Sequence, residues 1–142
     1  MSMFRSIAEI AGSAMTAETV RLNTLASNLA NAGTAASSEA EAYHARKPVF
    51  ATVFDHSAFS SDPIAGAKVQ VLDVVESTEP IRQVYEPDNP SANDQGMVFY
   101  TNVNTVAEMT DMMSASRAFE TNIEVLNRVK SMQQSVLKMG ES

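Results

Sequence analysis

From Met1 to Ala32 the apolar positions Met1, Phe4, Ala8, Ala11, Met15, Leu22, Leu25, Leu29 and Ala32 alternate at three- and four-residue spacing, with Glu18 as the one break. This is the heptad seam of an amphipathic helix. A helix over 3–31 would be about 43 Å long at ~1.5 Å per residue, too long for one face of a small isolated core. Asn31-Ala32-Gly33 predicts its end, because Gly tolerates the left-handed conformation that closes a helix.

The segment 33–42 is small and polar, with neither a turn motif nor a hydrophobic face, and reads as a linker whose Ala and Glu residues would also suit a helical extension. After it the period changes. Short β-branched and aromatic runs at 48–54, 68–75 and 81–85 are punctuated by Asp62-Pro63, Gly66 and 77–80. They predict a small antiparallel β module of three or four strands, with 97–100 as a further candidate. The stretch from Pro87 to Gly96 holds Asp88, Asn89 and Pro90, and its prolines and asparagines forbid regular structure.

A second long helix is expected from Thr105, where Thr105 and Glu108 have the spacing of a capping box. One apolar stripe runs Met109, Met112, Met113, Ser116, Phe119, Ile123, Leu126, and a second runs Val125, Val129, Met132, Val136, Met139. A helix apolar on more than one side needs more than one neighbour. The expected fold is therefore α+β: two long terminal helices pair as an antiparallel coiled coil, with a small antiparallel β insert between them. The helical domain takes 1–32 and 105–142, the linker 33–42 and the β-rich insert 43–104. A hairpin of this kind buries one seam and leaves the second stripe of the C-terminal helix exposed, which favours assembly.

Composition narrows the function. With 17 acidic and 10 basic residues the formal net charge is −7, which gives no general attraction to nucleic acid or anionic lipid. The lack of cysteine removes disulfides, thiolate metal sites and cysteine nucleophiles together. Glu9, Ser13 and Thr16 interrupt what would be the apolar core of a secretory signal, and no stretch reaches the roughly 18 apolar residues of a membrane span.

Candidate chemistry is sparse. His44 and His56, with Asp55, are the residues from which a metal site or a base with its orienting carboxylate would be built, but their separation matches no compact ligand motif. No catalytic residue, cofactor site or metal site is expected. Asn28 and Asn31 share one helix face, suited to capping the helix end or to hydrogen bonds between subunits. Arg117 and Glu120 read as a local ion pair or as an inter-subunit bridge. The nine methionines suit an adaptable interface, and equally an ordinary core.

The end of the first helix, Leu25-Ala26-Ser27-Asn28-Leu29-Ala30-Asn31-Ala32-Gly33-Thr34, resembles the N-terminal motif of the flagellar rod, hook and hook-associated family. The other terminus adds Asn102-Val103-Asn104, Glu108-Met109, Asp111-Met112, 115–122 and Lys130-Ser131-Met132, similar to that family's C-terminal helix. In the middle, Tyr43, Arg46, Pro48-Val49-Phe50, Val69, Val71, Val74 and the spacing from Tyr85 through Pro87, Pro90, Ala92 and Gly96 to Val98 resemble its proximal-rod members. Thr101 stands where the family pattern has Pro, and Phe119 where it has Tyr.

The resemblance implies a structural subunit of the periplasmic rod of the basal body. It implies export through the flagellar apparatus without a cleaved signal, and assembly with copies of itself and with other rod subunits. It implies no enzymatic activity, no small-molecule substrate and no direct membrane insertion. The subunit interface is then expected over Leu22, Leu25, Asn28, Leu29, Asn31, Met109, Met113, Arg117, Phe119, Glu120, Asn122, Ile123 and Leu126, with 87–96 as an outer contact loop. A small metal-binding or enzymatic domain and a cytoplasmic coiled-coil adaptor or export chaperone are the competing readings. The short strands between the helices argue against the adaptor.

Overall fold

The computed structural model describes residues 2–54 and 67–141. Helix α1 (Ser2–Ala30) and helix α2 (Thr105–Gly140) lie at the two ends of the chain, and five strands lie between them. The helices run antiparallel: Asn28, near the end of α1, meets Glu108 in the first turns of α2, and Arg21 reaches Asp111. This is the expected helical pair around a β insert. Met1, Asp62-Pro63 and Gly66 lie outside the described residues.

The buried seam differs in position from the apolar stripes of the sequence. On α2 it runs Glu108, Met112, Ala115, Phe119, Asn122, Leu126, Val129, Gln133, and every one of these is buried or half-buried. The spacing is the four-three alternation of a coiled coil. Three of the eight are polar and one is alanine, so a search for apolar repeats slides off it onto Met109, Met113 and Ile123. On α1 the corresponding row is Phe4, Ile7, Ala11, Ala14, Glu18, Arg21, Leu25, Asn28, likewise buried or half-buried. The Glu18 break is thus a polar member of the seam, its carboxylate 3.6 Å from Arg21.

A second row of α1, including Ser13, Ala17, Thr24 and Ser27, is also withdrawn from solvent. The insert covers it: the Val69 N–H donates to Ser13 Oγ at 3.1 Å, and Ser27 Oγ lies 3.1 Å from the Tyr43 hydroxyl. Covered on two sides, α1 is the middle layer of the fold.

The β segments form two sheets rather than one module. Strands β2 (Arg46–Phe54) and β3 (Ala67–Glu76) pair antiparallel as a separate ribbon. Its register shifts at Val49/Phe50, which leaves Leu72 as the extra residue of a bulge. The other sheet has the order β1-β5-β4, with β4 at Arg82–Tyr85, β5 at Met97–Tyr100 and β1 at Ala35–Ala36. The stretch read as a linker therefore contributes an edge strand, Ala35 opposite Tyr100 and Ala36 opposite Phe99. Two residues carry no period, so only the open edge of β5 could reveal it.

Both helix ends differ from expectation. Gly33 does not take the left-handed conformation; among the described residues, positive φ belongs to Gly96. Helix α1 closes by tightening instead, with Ala32 N–H on the Leu29 carbonyl and Thr34 N–H on that of Asn31, while Asn31 Nδ2 donates to the Ser27 carbonyl at 2.9 Å. The N-cap of α2 is Asn104, whose Oδ1 accepts from the Ala107 N–H at 3.2 Å. Thr105 is the first helical residue, and Glu108 falls one position beyond capping reach and turns inward to Asn28.

The core is thin. Val98 and Asn28 are its largest fully buried side chains, joined by Ala11, Ala17, Leu25, Ala115 and Val129. With so little large apolar volume inside, much of the hydrophobic content is displayed on the surface.

Candidate assembly interface

Helix α2 displays Val106, Met109, Met113 and Ile123 along its N-terminal two-thirds, and Met132, Val136, Leu137 and Met139 near its end. Met113 is 61% exposed and Met139 70%. At ~1.5 Å rise per residue the N-terminus of α1 lies opposite about residues 130–134 of α2, so the last turns of α2 project past it. Residues 134–141 are all exposed. The β2–β3 ribbon also exposes Val49, Phe50, Val53, Phe54, Leu72, Val74 and Val75. Val106, Met109 and Met113 stand three and four residues apart, on one face of α2.

The expected interface residues divide into three groups. Met109, Met113, Arg117, Glu120 and Ile123 are exposed on α2 and free to meet another molecule. Leu22, Leu29, Asn31, Phe119, Asn122 and Leu126 are half-buried, with Phe119, Asn122 and Leu126 in the intramolecular seam. Leu25 and Asn28 are buried inside the subunit. No ion pair joins Arg117 to Glu120 among the described residues; the local bridge on this helix is Glu124–Arg128, at 2.6 Å.

Asn28 is the centre of a polar cluster whose members the sequence separates widely. Its Nδ2 donates to the Arg46 carbonyl at 2.8 Å and to Glu108 Oε2 at 3.0 Å. Its Oδ1 accepts from the Arg46 N–H at 2.9 Å and from the Tyr43 hydroxyl at 2.8 Å. This uses the full capacity of an amide side chain. The cluster ties α1 to α2 and to the start of β2. Glu108 and Tyr43 were missing from the expected site; the legible signal was the match of Glu108 to the heptad of Met112, Ala115 and Phe119.

The 87–96 loop is ordered by its own side chains. Asn93 Oδ1 accepts from the N–H groups of Gln95 and Met97, both at 3.0 Å, and Asn89 Oδ1 accepts from that of Ser91 at 2.9 Å. Asn89 Nδ2 donates to Glu86, which also receives the Tyr100 hydroxyl. The asparagines thus build the loop, leaving Pro87, Asp88, Pro90, Asp94 and Gln95 on its exposed surface. Gly96, at φ 75°, is buried against Tyr85 and Pro87 and closes the loop.

His44 Nδ1 lies 2.9 Å from the Ala42 carbonyl and lines a polar cleft of about 390 Å³ with Glu41, Arg46 and Glu76. Asp55 and His56 lie outside the described residues. Among the described residues no three His, Cys, Asp or Glu side chains gather as a metal site would require, and no helix is long and apolar enough to cross a membrane.

Comparison with known proteins finds matching families at both ends of the chain. Residues 9–35 match the family described as flagella basal body rod protein, and residues 94–139 the family described as flagellar basal body rod FlgEFG protein C-terminal. Flagellar basal-body rod protein FlgC of Escherichia coli O6:H1 is 44% identical over 136 residues, covering 96% of this chain and 97% of that protein. FlgC of Salmonella typhimurium LT2 shows the same identity and coverage. FlgC of Bacillus subtilis 168 is 32% identical over 152 residues, covering 99% of this chain and all of that protein.

Proposed function

The chain belongs to the FlgC family of flagellar basal-body rod proteins, and from that premise we propose that its work is carried out by packing surfaces and by no catalysed reaction. It is a structural subunit of the flagellar rod. In this reading the subunit joins copies of itself and other rod subunits in the periplasm, after export through the flagellar apparatus without cleavage of a signal. The helical pair forms the inner layer of the rod. The exposed row of Met109, Met113, Arg117, Glu120 and Ile123 meets the neighbouring subunit, with Leu22, Leu29, Asn31, Phe119, Asn122 and Leu126 at its margin and Leu25 and Asn28 shaping it from within. The surface of the 87–96 loop makes outer contacts.

The observation that carries this reading is the apolar surface of α2. A helix holding a full buried seam on one side and Met113 and Ile123 exposed on another presents apolar surface that a neighbouring subunit would cover. Methionine suits a contact with non-identical neighbours, because its unbranched chain repacks at little cost. The test is to purify basal bodies from cells carrying a tagged copy and to locate the tag by electron microscopy. Density in the rod is the expected result, and a tag that stays in the cytoplasm in cells with complete rods would overturn the reading.

A further inference from the structure

The apolar part of the helix seam includes small and flexible side chains that fix its alignment weakly. Ala11 and Ala14 on α1 and Ala115 on α2 are small members of the seam, and Met112 is flexible. Such positions interdigitate nearly as well after one helix slides by seven residues. The polar members behave differently, since a hydrogen bond is directional and a buried polar group left alone is costly.

We infer that the Asn28–Glu108 pair is a register lock that holds α2 at one alignment along α1. The bond is buried at both ends, with Asn28 fully enclosed and Glu108 7% exposed. Asn28 cannot follow a moving α2, because its remaining hydrogen bonds hold it to Tyr43 and to the backbone of Arg46. A slide of one heptad, about 10 Å, would carry the Glu108 carboxyl away from its donor and bring Ala115 or a residue beyond α2 into its place. A polar pair inside a helical seam selects one alignment by penalising all others. Arg21 and Asp111, 3.9 Å apart and more exposed, favour the same alignment weakly.

The consequence rests on the rod-subunit reading: a fixed alignment sets how far Val136, Leu137 and Met139 project beyond α1. In a repeating assembly every copy must present that end at the same distance from its insert.

The experiment uses the full chain in isolation, so its outcome does not depend on that reading. The chain has no cysteine, which makes introduced thiols unique. Arg21→Cys with Asp111→Cys, joined by a short bis-maleimide, reports the native alignment; Arg21→Cys with Ala118→Cys reports α2 displaced by one heptad. Glu108→Leu leaves three of the four hydrogen bonds of Asn28 in place, so the fold has what it needs to form. In that background the native product is expected to fall and the displaced product, absent from the parent, to appear at unchanged helix content. Glu108→Gln retains an acceptor and is expected to keep the native product alone. An unchanged native product in Glu108→Leu overturns the lock. So does a loss of helix content without displaced product, which would make the pair an element of stability only, and so does Glu108→Gln behaving like Glu108→Leu.

Discussion

The Tyr100 hydroxyl donates to Glu86 Oε2 at 2.7 Å, joining the end of β5 to the residue that follows β4, and Asn89 Nδ2 donates to the same oxygen at 2.8 Å. The Arg82 guanidinium lies over the Tyr100 ring, 4.7 Å from its centre. First the Tyr100 hydroxyl, then the Asn89 amide, hold the Glu86 carboxyl below the usual carboxylate range, while the same bond pushes the Tyr100 phenol up.

A pH dependence with two limbs follows. A depressed carboxyl contributes stability that is present above its unfolded pKa and lost as pH falls through the folded one. A raised phenol contributes stability that is present below its unfolded pKa and lost as pH rises through the folded one. The β4–β5 hairpin should therefore be unchanged around neutrality and loosen in acid and in strong alkali. Amide exchange at Glu86 and Gly96, whose N–H groups bond across the loop base to Gly96 and Asn93 carbonyls, reads this locally. Glu86→Gln should remove the acid limb; an acid limb that persists would trace the effect to another group.

Gly96→Ala should destabilise the subunit through its backbone first and through crowding second. At φ 75° an L side chain is strained by about 1–2 kcal/mol. The added methyl would also stand 2.8 Å from Tyr85 Cε2 and 3.2 Å from Pro87 Cβ. Tyr85 is 67% exposed and its ring can swing away, so the backbone term dominates. Thermal unfolding should show a clear loss, and Gly96→Asn, which tolerates positive φ better, a smaller one. Equal losses for both would reverse the order of causes.

Leu25→Asp and Ile123→Asp should fail for different reasons. Leu25 is 6% exposed, so a carboxylate there is buried unpaired at a cost of several kcal/mol, and the subunit itself should unfold. Ile123 is 37% exposed, and Met113→Asp lies further out still; both should melt within about 0.5 kcal/mol of wild type. Rods should nonetheless be missing in cells carrying either. Normal swarming of Ile123→Asp and Met113→Asp cells would remove this face from the interface.

The loop separates folding from contact at the level of single residues. Asn93→Ala leaves the Gln95 and Met97 N–H groups without their acceptor and should cost the monomer about 1–2 kcal/mol. The triple change Asp88→Ala, Asp94→Ala, Gln95→Ala touches exposed side chains and should leave the melting temperature near wild type. Rods stalled at this subunit are the expected result for the triple variant. Complete rods at normal number would show that the loop surface is dispensable.

By itself the sequence determined what is local. Period-3.6 patterning set both terminal helices to within a few residues, and β-branched runs marked β2 through β5, because such signals arise from neighbours in the chain. Only the tertiary structure decided what depends on distant partners. The seam of α2 runs through Glu108, Ala115, Asn122 and Gln133, which no count of large apolar residues selects; the Glu108 carboxylate is satisfied by Asn28 of α1, and the Asn122 amide by the Ala118 carbonyl of its own helix. Asn28 read as a cap or an inter-subunit donor, yet Tyr43, Arg46 and Glu108 had already taken its amide. The strand at Ala35–Ala36 exists because β5 offers an open edge, and the break between the two sheets because β2 and β3 complete each other's ladder. The heptad places Glu108 in the seam, but a partner eighty residues away along the chain is named by neither segment's pattern.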